Sequence, residues 1–192
     1  MKSTIWSLEA ARKKHRHSAG IAQELSSWLP REDPVLDLGC GTGYYLSILA
    51  ASGYRCLGVE GTPDIEQIAY FADIRTADLA TPLTIDWPRS SLLCLEVAEH
   101  LHPNQEAALL QSIDTYCRRV LVLSWAVPGQ RGTGHVNCRP NSYVHEQVCK
   151  RGFELWPAAT FALREAAEEP VRYFRNSLLV FMRSIHDAPQ AS

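Results

Sequence analysis

The stretch Val35-Leu36-Asp37-Leu38-Gly39-Cys40-Gly41-Thr42-Gly43-Tyr44-Tyr45 constrains this chain more than any other. Its first residues read as a short buried strand started by Pro34, and the alternating glycines read as a tight turn. From Tyr44 the apolar spacing becomes helical, carried by Tyr45, Leu46, Leu49 and Ala50, with Gly53 as the stop. Strand, glycine turn and helix are the layout of a nucleotide cradle. Glycine brings no Cβ, tolerates positive φ and lets backbone N–H groups face a ligand.

The spacing excludes two common occupants. Dinucleotide sites carry G-x-G-x-x-G, and Gly39, Gly41 and Gly43 miss that pattern by one position. The turn also lacks the Gly-Lys-Ser/Thr ending of a phosphate-binding loop. Two acids add specificity: Asp37 inside the segment, and Glu60 at the end of the next strand, Cys56-Leu57-Gly58-Val59-Glu60-Gly61. Glu60 follows the turn by roughly 20 residues, the separation at which an acid meets ribose hydroxyls in such folds.

Asp37-Leu38-Gly39-Cys40-Gly41-Thr42-Gly43 resembles motif I of the class I methyltransferases that use S-adenosylmethionine. Glu60 resembles their ribose-binding acid, and Ala77-Asp78-Leu79 the segment that brackets the adenine. Leu93-Cys94-Leu95-Glu96-Val97-Ala98-Glu99-His100-Leu101 is similar to the fourth motif of a small-molecule branch that includes ubiquinone-biosynthesis-type enzymes. The resemblance runs from about Pro34 to the strand around Leu178. It implies S-adenosyl-L-methionine as cofactor, held by Asp37, Gly39, Cys40, Gly41, Gly43, Tyr44, Glu60, Gly61, Asp78, Leu79 and Glu96. The physics agrees, because a sulfonium ligand without phosphate needs no lysine in the turn.

Alternating strands and helices fill the rest of the chain. Helical spacing covers 7–29 with Pro30 as a stop, and strand two covers 54–60. Gly61-Thr62-Pro63-Asp64 starts a helix through Phe71, followed by a third strand over 74–77. Pro82 and Pro88 argue against a long helix in 78–91. Strands are expected at 92–95, 120–124, 153–156 and 177–183, and helices from Pro103 to about Cys117, over 140–151 and over 159–167. The expected fold is α/β: a doubly wound, Rossmann-like, seven-stranded, mostly parallel sheet with an antiparallel last strand. Its ligands should sit at the carboxyl ends of the strands.

With 192 residues, 46% of them hydrophobic, one methyltransferase domain over 1–192 is the simplest organisation. It comprises a helical cap over 1–30, a core over 31–184 and a loose tail over 185–192. A formal net charge of −2 gives no global field toward nucleic acid or membrane. No stretch reaches the ~20 apolar residues of a spanning helix, and Met1-Lys2-Ser3-Thr4-Ile5-Trp6 lacks the apolar run of a secretory signal. The six cysteines are scattered without a C-x-x-C pair, which suits a reducing compartment. The expectation is a cytoplasmic protein with a small-molecule substrate and neither nucleic-acid nor membrane partner. Its oligomeric state is open.

Methyl transfer needs a nucleophile held in line with the methyl carbon, and an oxygen nucleophile also needs a base. His100, at the end of strand four, is the first base candidate because its reference pKa is ~6.5; the alternative is a histidine that caps a helix or bonds backbone. Glu96-x-x-Glu99-His100 approaches the H-x-x-E-H zinc pattern, but Glu96 replaces the first histidine, so no metal is expected. The glycine-rich segment 129–139 follows strand five. If it is extended, His135, Asn137 and Arg139 share one face. His135 is then a second base candidate, and Trp125, Asn137 and Arg139 are substrate-binding candidates, with Arg139 able to fork a carboxylate or phosphate. The alternative is a loop pinned by hydrogen bonds.

Three features keep two readings each. Arg12-Lys13-Lys14-His15-Arg16-His17 is an anionic-substrate or RNA contact, or a solvated helix face. Trp87 covers an adenine face or packs in the core. Tyr173 and Phe174 wall the pocket or pack at a strand edge. The function expected is methyl transfer from S-adenosylmethionine to an O or N atom of a small polar metabolite. The rivals are a protein, peptide or RNA methyltransferase and a non-catalytic cofactor-binding module.

Overall fold

Runs rich in Leu, Val and Cys, apolar on both faces, can be buried only inside a sheet covered on both sides. The computed structural model, which describes residues 5–183, builds that sheet. Its strands are β1 (Val35–Leu38), β2 (Cys56–Glu60), β3 (Ile74–Thr76), β4 (Ser90–Leu95), β5 (Cys117–Ser124), β6 (Phe153–Leu155) and β7 (Leu178–Arg183). They lie in the order β3-β2-β1-β4-β5-β7-β6. β1 to β5 are parallel, while β7 inserts antiparallel to both β5 and β6. The seven strands, the mostly parallel sheet and the reversed last strand match the sequence expectation. The expected loose tail lies outside the described residues.

Seven helices cover the faces: α1 (Leu8–Lys14), α2 (Ala19–Trp28), α3 (Tyr44–Ala51), α4 (Glu106–Tyr116), α5 (Asn141–Cys149), α6 (Pro157–Glu165) and the single turn α7 (Phe174–Ser177). Successive strand side chains point to opposite faces, so the core is double. Leu36, Leu38, Leu57, Leu92 and Leu121 pack on one side with Leu109 and Ile113 of α4. Val35, Leu93, Val122 and Val180 pack on the other with Ile21, Leu25, Leu46 and Leu163. Each such side chain contributes about 1.5–3 kcal/mol when fully buried.

The N-terminal helical stretch is two helices. Ser18 caps the second, accepting a bond from the Ile21 amide at 3.2 Å, and the basic run leaves the helix at His15. The expected helix from Pro63 to Phe71 does not form. Only a 3-10 turn over Ile65–Gln67 is present: Asp64 takes a left-handed φ of 57° before it, and Ile68 leaves helical backbone after it with φ −130°. Trp87 belongs to the core: its indole N–H donates to Ser90 Oγ at 2.9 Å, and the Arg55 guanidinium lies 4.4 Å from its ring centroid. Among the described residues no helix is long and apolar enough to cross a membrane, and all six cysteines are free thiols.

Candidate active site

The strand order reverses between β1 and β4, so the chain leaves their carboxyl ends in opposite directions and a crevice opens. A cavity of about 330 Å³ occupies it. Its floor is the glycine turn, with Gly39 at φ 76° and Gly41 at φ 55°. A Cβ at Gly39 would overlap the Val97 side chain, and one at Gly41 would press into the His15 ring. Most of the turn amides are already committed: Gly39 and Cys40 both donate to Val59 O, at 2.7 and 3.0 Å, and Gly43 donates to Cys40 O at 2.9 Å. What the turn offers a ligand is therefore close approach rather than a nest of donors.

Two carboxyl groups flank that floor. Glu60 accepts from the Gly41 amide at 2.9 Å through one oxygen and from the Thr62 amide at 2.8 Å through the other. This ties the end of β2 to the turn and holds the carboxyl at the cavity wall. Asp37 lines the same cavity, is buried, and makes no side-chain hydrogen bond among the described residues. Burial first, then the nearby Glu60 charge, pushes its carboxyl up to about 7. An acceptor without a donor fits the ammonium group of an aminoacyl ligand such as S-adenosylmethionine. Beyond Glu60, Gly61, Ala77, Asp78 and Leu79 form the outer wall, where an Asp78 oxygen accepts from the Ala80 amide at 2.9 Å.

The raised Asp37 pKa predicts a pH signature. The folded chain holds a proton that the unfolded chain, with its carboxyl at 3.8, has lost, so this group lowers stability as pH rises from 3.8 to about 7. Asp37→Asn removes that effect. The variant's apo Tm should fall less than the parent's between pH 5 and pH 8 in thermal denaturation, while its affinity for S-adenosylhomocysteine drops at pH 8. Equal Tm changes in the two proteins refute the assignment.

The roof comes from the N-terminal segment. His15 lies over Gly41, Trp6 stacks on His15 at 5.3 Å between ring centroids, and Trp6 meets His100 edge-on at 5.3 Å. His17 stacks on Tyr44 at 3.6 Å. Lys14 Nζ bonds the Thr133 hydroxyl and so joins the roof to the loop after β5. Lys14, Arg16 and Arg131 all line the cavity, as do Tyr173 and Phe174. None of these three cations has a carboxylate partner among the described residues.

The far end is built by the β4 terminus and that loop. Glu96 turns the chain with φ 55° and is held by Ser124 Oγ at 2.9 Å, Ser177 Oγ at 3.2 Å and the Gln130 side-chain amide. Burial raises its carboxyl despite those bonds. Glu99 is fully buried, and burial followed by the Glu96 charge raises its carboxyl further. His100 and His135 meet edge-on at 5.1 Å. Burial, then His135, lowers the His100 ring to about 4. It is uncharged at neutral pH, a weak proton acceptor but a free lone-pair donor.

The structure brings Asp37, Gly39, Cys40, Gly41, Tyr44, Glu60, Gly61, Asp78, Leu79, Glu96, His100 and His135 to one cavity. Gly43 instead opens α3 behind the floor with φ 70°. Three substrate candidates are corrected. Trp125 is 1% exposed and donates to Asn137 O, while Asn137 and Arg139 turn away to Glu106, at 2.8 Å and 2.6 Å. The loop is not an extended strand, so alternation does not apply, and a buried acid below it captures both side chains. The residues missed are Trp6, Gln130 and Thr133, while Lys14, His15, Arg16 and His17 of the basic run, which kept two readings, line the cavity as well. Only the Ser18 cap, which breaks the helix after the basic run, signalled that residues 15–17 cross open space.

A Rossmann-like sheet with an antiparallel β6–β7 edge, a glycine turn and a carboxylate at the end of the neighbouring strand is the layout of nucleoside-cofactor enzymes. Residues 10–158 match a family described as a methyltransferase domain, and the chain belongs to that family of class I S-adenosylmethionine-dependent methyltransferases. S-adenosylmethionine is therefore its cofactor. Among solved structures, magnesium protoporphyrin IX methyltransferase (ChlM) from Synechocystis PCC 6803 with bound SAH aligns at 18% identity and TM-score 0.61, over 92% of this chain and 83% of that one. The sugar N-methyltransferase KedS8 from Streptoalloteichus sp ATCC 53650 aligns at 16% identity and TM-score 0.65, over 90% of each chain. The CcbJ methyltransferase from Streptomyces caelestis aligns at 14% identity and TM-score 0.65, over 92% and 96%. At these identities the likeness is one of fold. No curated protein matches the chain in sequence.

Proposed function

We propose that this chain transfers a methyl group to an O or N atom of a small, polar, anionic metabolite. The observation that carries the reading is the mixed charge of the cavity lining. That lining includes the carboxyl groups of Asp37 and Glu60 together with the cations Lys14, Arg16 and Arg131. Asp37, Glu60, Asp78 and the glycine turn would hold the cofactor, which supplies an electrophilic methyl group. His100 and His135 would stand beside the acceptor, and the Trp6–His15 roof would exclude water. A volume of about 330 Å³ lies at the small end of ligand pockets, ~300–1,000 Å³, which supports a small acceptor. The similarity of 93–101 to a fourth motif of small-molecule enzymes supports it too, as do neighbours that act on a sugar and on a porphyrin.

Calorimetry with S-adenosylhomocysteine should show one molecule bound per folded chain. Methyl transfer from labelled cofactor should then favour small carboxylate- or phosphate-bearing acceptors, with Lys14→Ala and Arg131→Ala raising KM more than they lower kcat. No binding of the cofactor or its product sinks the assignment. Label entering only RNA or protein would overturn the substrate class in favour of a macromolecular methyltransferase, with the basic run of 12–17 as its docking rim.

A further inference from the structure

We propose that Glu99, His100 and His135 form a binding site for one divalent transition-metal ion at the acceptor end of the cavity. One potential ligand atom from each residue lies within 4.8 Å of the others. Glu99 supplies the independent evidence. Its side chain is fully buried, and neither carboxyl oxygen has a hydrogen-bond partner among the described residues. A buried carboxyl with both oxygens unsatisfied costs several kcal/mol, and a bound cation would offset that cost. An imidazole faces it, with His135 Nε2 at 3.9 Å from Glu99 Oε1, and the Ala126 amide and the Glu96 carboxyl also lie beside it.

The two rings are prepared in the same way. His100 Nδ1 lies 3.2 Å from Gly134 O, and His135 Nδ1 lies 3.1 Å from Gln130 O. A carbonyl can only accept, so each Nδ1 carries the proton and each Nε2 keeps a lone pair. A ring N–H held by a backbone carbonyl, with the opposite nitrogen free, is the usual support of a metal-ligating histidine. Both carbonyls belong to the loop after β5, so this loop sets the tautomer of the two rings together. Behind them Glu96 occupies its own oxygens with Ser124, Ser177 and Gln130. It lies beside the Glu99 carboxyl, and a bound cation would relieve the repulsion between the two acids.

Two imidazoles and one carboxylate suit Mn²⁺, Fe²⁺ or Zn²⁺ better than Ca²⁺ or Mg²⁺, which prefer oxygen. A tetrahedral ion with bonds of ~2.1 Å holds its ligand atoms ~3.4 Å apart, so a bound ion would draw the loop inward. The remaining positions would face the cavity that His100 and His135 line. There the ion would bind an acceptor oxygen directly and lower the pKa of a hydroxyl. The substrate would then be a chelating small molecule, a vicinal diol or a hydroxy acid. This role rests on the methyl-transfer reading; binding of the ion does not.

The test uses chelator-stripped full chain titrated with MnCl₂, read by calorimetry and by electron paramagnetic resonance. One Mn²⁺ should bind per chain. Glu99→Gln and His135→Ala should each weaken it at least tenfold while retaining affinity for S-adenosylhomocysteine, which shows that they fold. His145→Ala, at the separate His145–Cys149 surface pair, should leave Mn²⁺ affinity unchanged. The proposal is overturned if the folded chain binds no Mn²⁺ or Zn²⁺ at millimolar concentration, or if Glu99→Gln and His135→Ala bind as tightly as the parent. Loss of S-adenosylhomocysteine binding by the parent, with Mn²⁺ retained, would instead sink the methyltransferase reading alone.

Discussion

Glu60→Ala is expected to weaken binding of S-adenosylhomocysteine by about a hundredfold, measured by calorimetry at neutral pH. Each oxygen of Glu60 already accepts one amide, from Gly41 and from Thr62, and a carboxylate can accept about four bonds. The unused lone pairs are therefore the ones available to a ribose diol at the cavity wall. Charge-assisted bonds of this kind contribute about 1.5–3 kcal/mol each, and the loss of about 2.7 kcal/mol is a hundredfold in affinity. The same substitution releases the Gly41 amide and loosens the floor, which adds to the loss. Glu60→Gln should fall between, since its amide NH₂ cannot accept from a backbone N–H. A change of less than threefold in Glu60→Ala would reduce the residue to a loop tether.

Glu106→Ala should lower stability by about 3 kcal/mol, the cost of breaking a largely buried ion pair from one side. Glu106 accepts from Asn137 Nδ2 at 2.8 Å, from Arg139 Nη2 at 2.6 Å and from the Tyr143 hydroxyl at 2.6 Å. Removing it strands three donors under the loop after β5. For a chain of this size the Tm should fall by roughly 6–12 °C. The acid dependence has a definite sign. Burial works to raise the Glu106 carboxyl, but the bonds from Tyr143, Arg139 and Asn137 outweigh it and hold it below its ordinary 4.5. Its stabilising contribution is present above 4.5 and is lost as pH falls through the depressed value, so the variant should lose less Tm on acidification than the parent. Affinity for S-adenosylhomocysteine at low temperature should not change, because the cluster lies outside the cavity. A stable variant with a raised substrate KM would return Arg139 to the substrate wall.

These two acids mark the boundary of what a linear reading reaches. The position of Glu60 was legible because adjacent parallel strands convert a fixed separation from the glycine turn into a fixed place beside it. Glu106 was read only as part of a helix. Its partners lie more than 30 residues away, and no local pattern announces them.

The sequence by itself determined the alternating sheet, the glycine turn and the acids that line the cavity beside it, since hydrophobic period, glycine φ and strand-end position are local properties. Only the tertiary structure decided which polar side chains of the loop after β5 face the cavity, and that the basic run leaves its helix to roof the site. Those choices depend on which buried group captures each side chain first, as Glu106 captures Arg139 and Asn137. Such competition is settled by three-dimensional proximity, and spacing along the chain carries no record of it.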